Sequence, residues 1–248
     1  MFTVLIGYLL FHKNPKLLYQ NGKLITDVSI VAVWWGPNVK YASEIEQFYS
    51  TITSSSWFSL LFEYSISNYT INYGSYVGSF NYTNGASGVI SPVLISDTIF
   101  NLVQNGSVPK GTYYSIHFSG DTTIQDQSAT SCVDYYAYHS LNQDIIYGVV
   151  PECKNKYLNL FDSITKAASH ELAESITDPF IDGWLIPPDT EIADLCNHKL
   201  FSSNGYVLNS LYSNRLNRCI ADPSIIVYIL TAIYSFLFTI VIYIIVSF

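Results

Sequence analysis

The chain has 248 residues, with 11 Lys+Arg against 19 Asp+Glu for a net charge of -8, and it is 49% hydrophobic but only 12% charged. So much apolar matter excludes a disordered polyampholyte, and the acidic balance excludes the basic footprint that nucleic-acid binding requires. The length suits one elaborated domain with terminal segments.

Residues 1–11 (MFTVLIGYLLF) form an apolar run of signal-peptide length without a basic flank or a small-residue cleavage site. The run reads either as a leader within residues 1–18 or as a first strand. Val28 to Trp35 is a β-branched and aromatic run closed by Gly36-Pro37, the pattern of a buried strand. Ala42 to Ile52 repeats apolar residues at helical spacing through Ile45, Phe48 and Ile52. Residues 64–91, rich in Tyr, Asn, Ser and Gly, predict loops with short edge strands. Asp97 to Val103 predicts a short helix. Sequons at Asn68, Asn81 and Asn105 lie in this polar stretch and mark surface positions open to glycosylation. Thr112 to Phe118, Val133 to Tyr138 and Asp144 to Val150 are further strand candidates, followed by a long helix from Leu158 to Thr177. The order is that of an α/β (α+β) domain over residues 19–223. Ser224 to Phe248 carries no charge, Gly or Pro, and its roughly 24 apolar positions at 1.5 Å each span a bilayer core, which predicts a transmembrane helix.

The long helix carries the chemistry. Leu158, Phe161, Thr165, Ala168, Leu172 and Ile176 fall in one sector, the core face, and His170 and Glu174 lie opposite with Glu171 at the margin. Asp178-Pro179 ends the helix, because a residue before proline avoids the α region. His170 and Glu174, at i and i+4, can reach one metal ion from consecutive turns, with Glu171 offset toward a bound water as general base. The pattern is HExxH with Glu in place of the second His. A third ligand must come from elsewhere, and Glu191 or Asp194 in the EIADLC segment offers one. The alternative is a solvated polar face with no ion. His139 and His117 sit in Tyr-rich strand-like runs and read as structural. His198 reads as a surface turn residue, with a fourth-ligand role as the alternative, and Trp34, Trp35 and Trp184 read as core or cleft wall.

Cys132, Cys153, Cys196 and Cys219 show no CxxC spacing, which disfavours a zinc ribbon or a thioredoxin-like pair. Two disulfides are the economical reading, against four buried free thiols in a cytosolic protein. Of three connectivities, Cys132–Cys153 and Cys196–Cys219 each close a loop of about 20 residues on one side of the helix.

Taken together, His170-Glu171-Leu172-Ala173-Glu174, Thr177-Asp178-Pro179, Gly183-Trp184 and Glu191-Ile192-Ala193-Asp194-Leu195-Cys196 resemble the C-terminal signature of the EXORDIUM-like (phosphate-induced protein) family. Tyr19 to Leu24, then Val28 to Gly36, resembles that family's opening, a Gly-containing turn leading into a strand that ends in Trp-Trp-Gly. Thr112 to His139 fits more loosely, and the likeness spans roughly residues 19–222. The resemblance implies a secreted or surface protein with a zincin-like mixed sheet and an active-site helix, in which His170, Glu174 and one of Glu191 or Asp194 hold the metal. The chain departs from the family by its apolar tail and by Asp134-Tyr135-Tyr136-Ala137-Tyr138-His139 in place of Cys-Gly-Trp-His.

The sequence thus predicts a single-pass, cell-surface or secretory-pathway protein anchored by residues 224–248. One reading is a metal-dependent hydrolase acting on peptides through Glu171. Zinc is the expected ion, and manganese and calcium also suit a set of one imidazole and two carboxylates. The other reading is a non-catalytic surface glycoprotein with a structural metal or none, binding peptide or cell-surface carbohydrate.

Overall fold

The computed structural model describes residues 16–85 and 87–222. The chain begins with the two-residue strand β1 (Leu18–Tyr19), followed by β2 (Ser29–Trp35), helix α1 (Ala42–Ile52), a 3-10 turn at Phe58–Tyr64, and β3 (Ser75–Tyr82). Next come β4 (Gly88–Ile90), α2 (Pro92–Gln104), β5 (Tyr113–Phe118), β6 (Thr122–Ile124), β7 (Tyr138–Asn142), β8 (Ile145–Pro151) and α3 (Leu160–Thr177). The C-terminal part holds β9 (Trp184–Leu185), a 3-10 turn at Asp194–Cys196, and the hairpins β10 (Leu200–Ser203) with β11 (Tyr206–Asn209) and β12 (Leu211–Ser213) with β13 (Arg218–Ile220).

A mixed sheet in the order β3-β2-β5-β8-β7 organises the domain. Its first four strands are parallel, and β7 pairs antiparallel with β8 at one edge. β2 reads as a continuous apolar run because both of its faces are covered. Ile30, Ala32 and Trp34 join a core built with Ile45, Phe48 and Ile52 of α1 and Ile164, Ala168 and Leu172 of α3. Val31, Val33 and Trp35 join a second core with Ile95 and Ile99 of α2. The result is a three-layer α/β arrangement with α1 and α3 on one face of the sheet and α2 on the other.

Four expectations need correction. Val133–Tyr138 is a turn and not a strand: Cys132 has a left-handed φ of 64°, its N–H donates to the Tyr135 carbonyl at 2.7 Å, and Val133 is 76% exposed. The edge strand starts at Tyr138 and carries His139. The second helix begins five residues earlier than Asp97, because Ser91 caps it by accepting from the Leu94 N–H and Pro92 supplies a helical φ at its first position. The 64–91 stretch holds an edge strand as expected, but β3 runs eight residues in parallel with β2, longer than the short strands its polar composition suggests. The folded domain also takes in Leu17 and Leu18, since Leu17 is buried in the core and β1 pairs with β9.

Among the described residues no helix is long and apolar enough to cross a membrane. The expected span at residues 224–248 and the apolar run at 1–11 lie outside the described residues.

Candidate metal centre

Helix α3 starts where the Asn159 side chain accepts from the Asp162 N–H at 2.8 Å and ends at Asp178, whose N–H still bonds the Glu174 carbonyl. Every residue from Ala167 to Pro179 is buried. A solvated polar face is therefore absent from this half of the helix. One side packs Ala168, Leu172 and Ile176 into the core, while β7 and the Glu191–Cys196 segment cover the side bearing His170, Glu171 and Glu174.

Two groups of side chains share Glu174. His170 Nε2 lies 3.0 Å from Glu174 Oε1 and 3.4 Å from Asp194 Oδ1. His139 Nδ1 lies 3.4 Å from Glu171 Oε2 and 3.8 Å from Glu174 Oε2. In each group, His170/Glu174/Asp194 and His139/Glu171/Glu174, one ligand atom per residue falls within 4.8 Å of the others, the spacing of donors that can hold one ion. Glu191 stands behind His139, its Oε1 3.7 Å from His139 Nε2. Of the two sequence candidates for third ligand, Asp194 meets His170 and Glu174, and Glu191 faces the imidazole of β7. His139 was read from sequence as structural, and here it sits at the centre of the cluster. His117, by contrast, is a buried structural residue hydrogen-bonded to Tyr49 and Ser115. His198 is exposed and outside the cluster.

The electrostatics follow from five carboxylates packed about two imidazoles. Burial alone would lower His170, but the charges of Glu174 and Asp194 hold it well above an ordinary histidine. Burial likewise opposes charge on His139, and its bond to Glu171 with the charges of Glu191 and Glu174 lifts it to about 9. Burial and the neighbouring Glu174 push Glu191 up to about 9, and burial raises Glu174 against the pull of His170. Despite partial burial Asp194 stays below the usual range, because it accepts from His170. The centre thus takes up protons to offset a surplus of buried negative charge. Two atoms in it, His139 Nε2 and Glu191 Oε1, are buried without a hydrogen-bond partner.

The flanking chain is held by three devices. The Cys132–Cys153 and Cys196–Cys219 disulfides pair as the sequence predicts, the first tying the turn before β7 to the end of β8 and the second anchoring the Asp194 segment. At the end of α3, Asp178 Oδ1 accepts the Gly183 N–H at 2.6 Å. Only glycine fits there, since a Cβ at Gly183 would come 2.3 Å from the Thr177 carbonyl oxygen. This close approach turns the chain back toward the cluster.

A cleft of about 270 Å³ opens onto His170, Glu171 and Asp194, walled by Tyr135, Tyr136 and Lys166. Burial lowers the Lys166 ammonium, and its Nζ donates to Asn197 Oδ1 at 2.5 Å. A larger cavity of about 600 Å³ lies at the carboxyl ends of β2, β5 and β8, where Glu152 is already satisfied by the Lys40 and Gly120 N–H groups. The sequons Asn68, Asn81 and Asn105 are all exposed. No family model, curated protein or solved structure matches the chain.

Proposed function

We propose that the chain is a metal-dependent hydrolase of extended peptides, exported and membrane-anchored by residues 224–248, with an EXORDIUM-like, zincin-like core. The observation that carries this reading is the meeting of His170, Glu174 and Asp194 beside Glu171 at the floor of a cleft. The donor set fits a divalent ion: carboxylates outnumber imidazoles, and the helix residues contribute from consecutive turns. Zinc is the first expectation, with manganese or calcium as competitors for so hard a set.

A divalent ion held by His170, Glu174 and Asp194 would supply a Lewis acid and would lower the pKa of a water toward roughly 7. Glu171, one residue after His170 and lining the same cleft, takes the proton of the attacking water and returns it to the leaving amine. Lys166 brings positive charge to the cleft wall where the substrate carbonyl gains negative charge. The peptide class is favoured by β7, an outermost strand of the sheet with a ladder on one side, which offers backbone groups to an extended chain.

The test is hydrolysis of a fluorogenic peptide library by the zinc-loaded protein. Glu171→Gln should lower the rate by roughly 10²- to 10⁴-fold and retain the ion on His170, Glu174 and Asp194, whereas His170→Ala should release it. A Gln variant as active as the parent, or a loaded parent with no hydrolysis, would defeat the enzyme reading and leave a structural centre.

Two disulfides point to an extracellular or secretory-pathway protein. With three exposed sequons, the protein expressed in a eukaryotic host should migrate faster after endoglycosidase treatment; an unchanged mobility together with titratable thiols would contradict export.

A further inference from the structure

We propose that the centre holds a second, inner divalent cation on His139 Nδ1, Glu171 and Glu174, with Glu174 bridging it to the ion on His170 and Asp194. The proposal rests on the reading of α3 as a metal-binding helix and extends it to β7.

The geometry is already divided in two. Glu174 directs Oε1 to His170 and Oε2 to His139, so one carboxylate presents a different oxygen to each group. Its span is that of a bridging ligand. The His139 side chain is 4% exposed, and its ring sits between Glu171 and Glu174 on the Nδ1 side and Glu191 on the Nε2 side. A metal-bound imidazole needs that second arrangement: the far N–H points at a carboxylate, which fixes the tautomer and strengthens the donor. Nε2 and Glu191 Oε1, both buried and partnerless, are placed for it.

Charge gives an independent argument. Glu171, Glu174, Asp178, Glu191 and Asp194 carry five formal negative charges around two imidazoles, which are neutral when they act as ligands. With the Lys166 ammonium on the cleft wall counted against them, one divalent ion leaves two of those formal charges uncompensated in a largely buried pocket, and a pair leaves none. Isolated buried charge is costly, so the pocket favours the pair. Each carboxylate needs only one oxygen for its ion, so Glu171 keeps its other oxygen for the water.

The measurement is metal content of the purified full-length protein equilibrated with Mn²⁺, by elemental analysis and electron paramagnetic resonance. The parent should bind two Mn²⁺ per chain with an exchange-coupled spectrum. His139→Ala and Asp194→Ala should each bind one, with an isolated six-line signal, and far-UV circular dichroism should confirm that each variant folds. The parent's spectrum needs no variant and decides the matter alone. One uncoupled Mn²⁺ in the parent, unchanged by His139→Ala and lost in Asp194→Ala, would overturn the inner site and leave the hydrolase reading standing. No bound Mn²⁺ or Zn²⁺ would overturn both.

Discussion

Zinc-loaded protein at pH 8 should unfold roughly 8–16 °C above the same protein in EDTA, because an ion at a thousand times its Kd adds about 4 kcal/mol and a domain of this size gains about 2–4 °C per kcal/mol. The sign of the pH dependence follows from the protons the empty centre carries. Its histidines sit above their ordinary values and Glu174 and Glu191 above theirs, so loading must expel protons. Acid restores those protons, so the gap should narrow as pH falls from 9 to 6 and close at lower pH. Lys166, Asp178 and Asp194 face the same cluster: burial lowers the Lys166 ammonium and raises the Asp178 carboxyl, while the bond from His170 holds Asp194 low against its burial. Differential scanning calorimetry with and without EDTA at four pH values provides the check. A gap of the same size at pH 6 and pH 9 would mean that the ion binds elsewhere, and no gap at all would mean that the protein has no resident metal.

The parts of the molecule legible from sequence were those written in local chemistry. Helix α3 announces itself by an apolar stripe and Asp178-Pro179, and its two metal-facing residues need only the four-residue spacing. The disulfide pairing was legible because few loops of similar length can close on one helix. His139 was not legible. Thirty-one residues separate it from His170, and it reaches the centre only because β7 folds back on β8 beside the helix. In a Tyr-rich, strand-like run a lone histidine reads as a structural residue, and nothing local to it points toward the helix. The choice between Glu191 and Asp194 was equally hidden, since it depends on a 3-10 turn at Asp194–Cys196 and on the Glu191 N–H bonding Asp194 Oδ2 at 3.2 Å. Polar residues on a helix report what could be solvated; what covers them is decided by elements far away in the chain.

Removing one disulfide at a time should separate the two halves of the centre. Each closes a loop of just over 20 residues, with separations of 21 and 23, so Cys132→Ser/Cys153→Ser and Cys196→Ser/Cys219→Ser should each cost about 3 kcal/mol of stability by the chain-entropy relation. The functional consequences should differ. Cys196 ends the turn that presents Asp194, and its disulfide to Cys219 on β13 cross-links that turn to the C-terminal hairpin. Freeing that turn lets Asp194, the most exposed of the ligand side chains at 39%, drift from His170. Affinity at the outer position should fall, and hydrolysis with it. Cys132 instead holds the turn Val133–Ala137 that feeds β7, so its loss should loosen His139 and the Tyr135–Tyr136 wall of the cleft while Asp194 stays in place. That variant should keep the outer ion and lose the inner one. Mn²⁺ titrations of the two double variants distinguish the cases. Equal losses at both positions would show that the disulfides stabilise the domain as a whole and position neither ligand.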